Sequence, residues 1–368
     1  MTADDTAAST PTPHLRAALT TFPPYVPGKP PRQVEGLRPY KLSSNENHLS
    51  PLPEVLEAMT GQVKDPAHYP DDAALALRQR LAEHLDVGLD EIVVTTGASE
   101  LLVALTQITS DANTEAIYPW PSFEMYPQTT GLVGAERIEV ALTDDGRHDL
   151  AAMAAAITDR TSLVILCSPN IPTGPVLRDE EVRDFLDRVP SHVLVAFDEA
   201  YWEFATAAGR ARGSNLIRDY PNLVLVRTFS KAHGLAGLRV GYAVAHPTVI
   251  DGLLKAVIPF GVTDMSQAAA LESLRHWDRV LDRAQQIAMA RDGFAQALRD
   301  QGWQVPEAQA NFVWLPLGPL SSAFEDACVE QAVAVRNLGD GVRISIGPPE
   351  ALDRVLEIAQ AFRAEHFA

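Results

Sequence analysis

Short apolar runs, each closed by turn residues, recur through the first two thirds of the chain: Ile92-Val93-Val94, Leu163 to Cys167, Val193 to Phe197 and Leu223 to Val226. Runs of this length with no polar alternation read as strands buried on both faces, which is the pattern of a parallel sheet covered by helices. Between them lie helical periods. Leu75, Leu77, Leu81 and Leu85 recur at near-helical spacing behind Asp71 and Asp72, either of which caps that helix. After Lys231 the pattern changes: helices begin at Pro247 and Asp264, a strand is expected over Ala310 to Leu315, and a last one over Val342 to Ile346. The chain therefore reads as α/β, with a large doubly wound domain and mainly parallel sheet over 49–266 and a smaller α+β domain over 267–368. Residues 1–24 read as a flexible leader, and the proline-rich 25–48 as an arm.

Chemistry gathers where the buried runs end. Leu223 to Val226 is followed by Thr228, Ser230 and Lys231, then by Arg239 among Gly234, Gly237 and Gly241. A lysine amine can form a Schiff base with an aldehyde, while hydroxyls and a guanidinium suit a phosphate. The run Val193 to Phe197 ends in Asp198, with Tyr201 three residues on, and a strand-end carboxylate suits a protonated ring nitrogen. Taken singly, Lys231 reads as a surface lysine and Asp198 as a helix cap. Ile92 to Glu100 reads as strand, glycine turn and helix start, so the N–H groups of Gly97, Ala98 and Ser99 form a second candidate phosphate cradle.

Composition narrows the partners. Lys and Arg total 30 against 48 Asp and Glu, a formal net charge of −18. Such a surface disfavours nucleic acid and anionic membrane, so an anion must be held by a local basic pocket. Two cysteines, Cys167 and Cys328, exclude a disulfide framework and fit a reducing, cytoplasmic compartment. The leader lacks a basic start and apolar stretch, so it is not a signal peptide, and no apolar run reaches membrane-spanning length. The ten histidines show no ligand spacing, and no metal is expected.

From Arg227 to Tyr242 the chain reads RTFSKAHGLAGLRVGY, and with Tyr25 to Lys29 and the motifs above it resembles the fold-type-I, pyridoxal-phosphate-dependent aminotransferases of the histidinol-phosphate and aromatic amino acid group. The resemblance covers nearly the whole chain. It implies pyridoxal 5'-phosphate as cofactor and Lys231 as its catalytic anchor. It also implies Asp198 at the ring nitrogen, Tyr201 near the phenolic oxygen, Asn170 among the cofactor-binding residues, and Phe123 stacked on the ring. Thr228, Ser230 and Arg239 fall at the phosphate with the Gly97 turn. Asn45 falls on the substrate side, and Arg343 at the substrate's carboxylate or phosphate, with Arg336 as a possible assistant. The same resemblance implies a homodimer in which the arm joins subunits and Tyr69 reaches the partner's cofactor phosphate. From chemistry alone, Tyr69 and Phe123 remain candidates for packed aromatics, Asn45 for a turn cap, and Arg343 for a salt bridge to a protein carboxylate. One departure stands out: the family's usual Asn-Asn before Pro-Thr-Gly is Asn170-Ile171 here.

On substrate, Ser50 to Pro53, Pro119 to Phe123 and Gln309 to Leu317 resemble the aromatic amino acid subgroup. Histidinol phosphate or a specialised biosynthetic substrate remains the alternative. Pyridoxal-phosphate decarboxylases and lyases share the fold and the lysine, and a regulatory module would carry an added DNA-binding domain for which the leader has no room.

Overall fold

The computed structural model describes residues 13–64 and 67–367, so residues 1–12 of the expected leader lie outside the described residues. Residues 13–24 were expected to be flexible, yet they lie on the helix Met125–Val133. Arg16 donates to the Leu132 carbonyl, Gln128 to Pro23 and Arg137 to Thr21. The Phe22 ring covers Gly131, where a Cβ would come within 2.5 Å of it. That close approach is what the glycine permits.

The arm contributes strand β1 (Tyr40–Lys41). A sheet of seven strands follows: β2 (Ile92–Thr95), β3 (Glu115–Trp120), β4 (Glu136–Ala141), β5 (Thr161–Cys167), β6 (Leu194–Asp198), β7 (Leu223–Thr228) and β8 (Gly241–Ala245). Their order is β2-β8-β7-β6-β5-β3-β4. Only β8 runs antiparallel to its neighbours. The four strands expected from apolar runs are all present, and the absence of polar alternation has a direct cause. In β5, Leu163, Ile165 and Cys167 enter one hydrophobic cluster while Val164 and Leu166 enter another; Leu194 and Ala196 of β6 alternate with Val195 and Phe197 in the same way. The sheet is buried on both faces.

The second sheet, of β9 (Phe312–Leu315), β11 (Arg336–Asn337) and β12 (Val342–Ser345), is antiparallel in the order β11-β12-β9. Strand β10 (Val333–Ala334) pairs in parallel with β1, so the arm is tied to this smaller unit. The expected division at residue 266 falls inside the helix Asp264–Arg275, which the 24-residue helix Trp277–Asp300 follows toward the second sheet.

All parallel strands end on one edge of the large sheet. Thr95, Trp120, Cys167, Asp198 and Thr228 therefore deliver the following loops to a common crevice, where open α/β sheets hold ligands.

Candidate active site

A cavity of about 150 Å³ lies at that edge, lined by Ala98, Ser99, Phe123, Cys167, Ile171, Asp198, Ala200, Tyr201, Thr228, Ser230, Lys231, Ala236 and Arg239. Nine residues singled out from sequence meet here. The expected residues Gly97, Asn45 and Arg343 are behind or beside the wall, and Asn170, Arg336 and Tyr69 are elsewhere.

Lys231 follows β7 across a tight turn in which the Ser230 N–H donates to Thr228 Oγ1 at 3.1 Å. Its Nζ has one long hydrogen bond, 3.4 Å to the Asn45 carbonyl, and stands 5.4 Å from the centre of the Tyr201 ring. Burial, and then the positive charge of Arg343, lower its pKa to about 8. A neutral, nucleophilic amine is thus within reach near neutral pH.

Asp198 closes β6 with its carboxylate buried. The Tyr126 hydroxyl donates to Oδ2 at 2.8 Å and the Ala200 N–H to Oδ1 at 3.1 Å. Burial raises its pKa to about 6 from an ordinary 3.8, and Tyr126 acts against the rise. The contribution of this raised group to stability is complete below 3.8 and is lost as pH rises through 6. Tyr126→Phe removes a donor that favours the ionised form, so the loss should extend to higher pH. In cofactor-free protein the variant is expected to be less stable than wild type by about 1.5–3 kcal/mol at pH 8 and by clearly less at pH 5. Equal destabilisation at both values, read by denaturant titration, would contradict the coupling.

The anion cradle is built from backbone geometry. Gly97 has φ 90° and starts the helix Ala98–Thr109, whose first N–H groups have no acceptor within the helix. A Cβ on Gly97 would lie 2.7 Å from Arg239 Nη2, and one on Gly241 would lie 2.6 Å from the Ala98 nitrogen. Gly241 thus meets backbone that cannot give way, and Gly97 holds a φ that L side chains rarely adopt. Arg239 itself is held at φ 53°, with Nη1 donating to the Ala236 carbonyl at 3.0 Å and to Ser230 Oγ at 3.4 Å. Glu100, unrecognised in the sequence, anchors the turn: Oε2 accepts from the Thr96 N–H at 2.6 Å and hydroxyl at 2.8 Å, and Oε1 from the Ile258 N–H at 2.8 Å.

Asn45 joins the two units above the lysine. Its Nδ2 donates to Tyr201 Oη at 2.9 Å, Ser345 Oγ donates to its Oδ1 at 2.9 Å, and Asn311 Nδ2 donates to its carbonyl at 3.1 Å. It sits at φ 52°, which asparagine tolerates better than most residues. Arg343 on β12 is buried, donates from Nη2 to the Ser43 carbonyl at 2.9 Å, and leaves Nε buried without a partner. Among the described residues it makes no ion pair, so the salt bridge to a protein carboxylate is not formed. A buried, underused guanidinium is a ready anion site.

Two side chains, those of Asn170 and Arg336, are engaged away from the lysine cavity. Asn170 does not line the cavity: its Oδ1 accepts from Ser122 Oγ at 2.8 Å and faces His148 Nε2 at 3.2 Å, and its Nδ2 donates to Thr173 Oγ1 at 2.8 Å and to the Pro121 carbonyl at 3.3 Å. With its amide fully engaged it cannot serve the cavity, and Ile171 forms the wall instead. Arg336 is bound to the Glu124 carboxylate at 2.6 and 2.9 Å rather than facing the lysine. Tyr69, expected to reach a partner subunit's cofactor, is 82% exposed and packs at a tilt against Phe260 with ring centres 4.7 Å apart. Cys167, Ala200 and Ala236 line the cavity without having been singled out from sequence. Tyr126, which reads from sequence as a core or substrate-pocket aromatic, instead donates to the Asp198 carboxylate.

The donors suit a phosphate monoester joined to a flat ring. Two close-approach glycines, a helix amino end, three hydroxyls and one guanidinium converge at one end of the cavity, and a buried carboxylate stands at another part of its wall. Pyridoxal 5'-phosphate fits this set.

Comparison with known proteins agrees. Residues 39–358 match the family described as aminotransferase class I and II. An aromatic amino acid aminotransferase from Streptomyces coelicolor is 48% identical over 96% of this chain and 98% of its own. One from Thermobifida fusca is 44% identical over 95% and 97%. The crystal structure of histidinol-phosphate aminotransferase from Sinorhizobium meliloti in complex with pyridoxal-5'-phosphate superposes with a TM-score of 0.81 at 28% identity, covering 88% of this chain and 91% of that one. A lysine, a buried aspartate and a phosphate cradle meeting at one sheet edge therefore have their explanation in descent: the chain belongs to the class I and II aminotransferases, and its cofactor is pyridoxal 5'-phosphate.

Proposed function

We propose that this aminotransferase moves the amino group of an aromatic amino acid to a 2-oxo acid in ping-pong order. The observation that carries the chemistry is a partly buried Lys231 of lowered pKa sharing one small cavity with the buried Asp198 carboxylate. Bound there, pyridoxal 5'-phosphate supplies an electron sink for the bonds at the substrate's α-carbon. Lys231 then serves as covalent anchor and as the base that carries the α-proton, because it is the amine in the cavity and its lowered pKa suits both tasks. Asp198, oriented by Tyr126, holds a proton at the ring nitrogen. Phe123, Ile171 and Ala200 exclude water, and Thr228, Ser230, Arg239 and the Gly97 turn with Ala98 and Ser99 hold the phosphate. Arg343 takes the substrate's anionic group, with Asn45 and Tyr201 fixing the substrate side of the lysine.

The aromatic assignment is supported by the names of the relatives that match over almost the full chain. It is tested by steady-state assays with a 2-oxo acid acceptor and phenylalanine, tyrosine or histidinol phosphate as donor. The aromatic amino acids are expected to have the higher kcat/KM; preference for histidinol phosphate would replace this reading with the histidine-biosynthetic one.

The same reading keeps 49–266 as the cofactor domain and 267–368 with the arm as the smaller one. It also makes the enzyme a cytoplasmic, biosynthetic homodimer. Tyr69, Phe260 and Ile258 are exposed apolar residues grouped beside the Gly97 turn, as suits a subunit contact. Tyr69→Phe is expected to weaken cofactor retention about tenfold to a hundredfold, the worth of a hydrogen bond to a charged group. Undiminished retention, or full activity in a monomer at low concentration, would exclude the shared site. Among the described residues no helix is long and apolar enough to cross a membrane.

A further inference from the structure

Arg336 and Arg343 are direct partners across the antiparallel pair β11–β12. Residues so paired share a face, and like charges directly opposite each other repel. The two guanidiniums are not treated alike by their surroundings. Arg343 keeps a buried Nε without a partner and has no carboxylate beside it. Arg336 is held by an ion pair and two carbonyls: Nη2 donates to both Glu124 oxygens at 2.6 and 2.9 Å and to the Val26 carbonyl at 2.6 Å, and Nη1 donates to Pro27 at 3.2 Å.

Glu124 occupies a telling place. It directly follows Phe123, a wall residue of the lysine cavity, and itself lines a second, more open cavity of about 460 Å³ together with Arg336, Trp120 and Pro172. Ile171 and Pro172 divide in the same way, so the two cavities share a wall. The ion pair is reachable from the second one, and Glu124 remains 29% exposed. Both members act electrostatically on Arg343, Arg336 as a like charge and Glu124 as an opposite one.

We propose that Glu124 is a specificity-determining residue: by holding Arg336 in an internal ion pair it leaves the anion site with the charge of one arginine, so that the site accepts a carboxylate monoanion and discriminates against a phosphate dianion. The proposal rests on the reading of Arg343 as the substrate's anion site. Two guanidiniums would balance a phosphate monoester, and two guanidiniums with one carboxylate balance a single carboxylate. A phosphate brought to Arg343 also meets the Glu124 charge, whose like-sign repulsion works against the wrong substrate.

The test is the ratio of kcat/KM for histidinol phosphate to that for phenylalanine. Glu124→Gln should raise this ratio by about tenfold or more, chiefly through a lower KM for the phosphate substrate, and Glu124→Asp, which keeps the charge, should stay near wild type. Arg336→Met alone should not raise it. In Glu124→Gln/Arg336→Met neither charge remains, so the ratio should return to the wild-type value; this variant decides the matter if Glu124→Gln fails to retain cofactor. An unchanged ratio in Glu124→Gln, equal shifts in Glu124→Gln and Arg336→Met, or a double variant far from wild type would each overturn the proposal. A wild-type enzyme that does not transaminate phenylalanine would instead overturn the substrate reading on which it rests.

Discussion

Lys231→Ala is expected to lose turnover by about four orders of magnitude, the upper range for a positioned acid–base group, while keeping its fold. The side chain makes one long hydrogen bond, and its charge is disfavoured by burial, so truncation removes little that stabilises the native state. Three other lysines are engaged elsewhere. Lys29, Lys41 and Lys255 are paired with Glu325, Glu46 and Asp251 away from the cavity. Stopped-flow and steady-state assays on a variant whose thermal midpoint matches wild type would check this. Retention of more than about 1% of turnover would show that another group carries the proton.

Arg343→Ala should have the second-largest effect. Truncating one partner of a desolvated charge pair costs about 2 to 5 kcal/mol, which corresponds to roughly 30- to 4,000-fold in kcat/KM. The loss should fall on every substrate carrying an anionic group at this position. Arg343→Lys keeps the charge but not the planar fork, so it should recover only part of the loss. An unchanged kcat/KM for phenylalanine would make Arg343 a structural residue of β12. The structure argues against that role, since this guanidinium has one hydrogen bond and a buried Nε without a partner, where a structural arginine such as Arg227 is paired with Glu199 at 2.7 Å.

Much of this site was legible in the sequence because its parts sit at the ends of apolar runs. Lys231, Asp198 and the Gly97 turn each follow a strand buried on both faces, and parallel pairing then brings strand ends together irrespective of their separation along the chain. The side-chain partnerships were not legible. Tyr126 with Asp198, Glu124 with Arg336 and Glu100 with Ile258 join residues 72, 212 and 158 positions apart, and no local pattern encodes such distances. Asn170 shows the limit most clearly. Its motif placed it at the cofactor, but whether its amide is available depends on Ser122, His148 and Thr173, which compete for it in three dimensions. The docking of residues 13–24 was missed for a similar reason: a polar, proline-rich leader gives no sign that Phe22 has Gly131 to cover.

The lysine cavity is expected to perform transamination on an aromatic amino acid. The most direct test is a single half-reaction: the holoenzyme is mixed with phenylalanine alone, without an acceptor, and both the visible spectrum and the released products are quantified. Transamination predicts loss of the visible band with about one 2-oxo acid released per lysine site, the nitrogen staying on the enzyme until a 2-oxo acid is added. Release of carbon dioxide and an amine, or free ammonia with continued turnover in the absence of an acceptor, would contradict it.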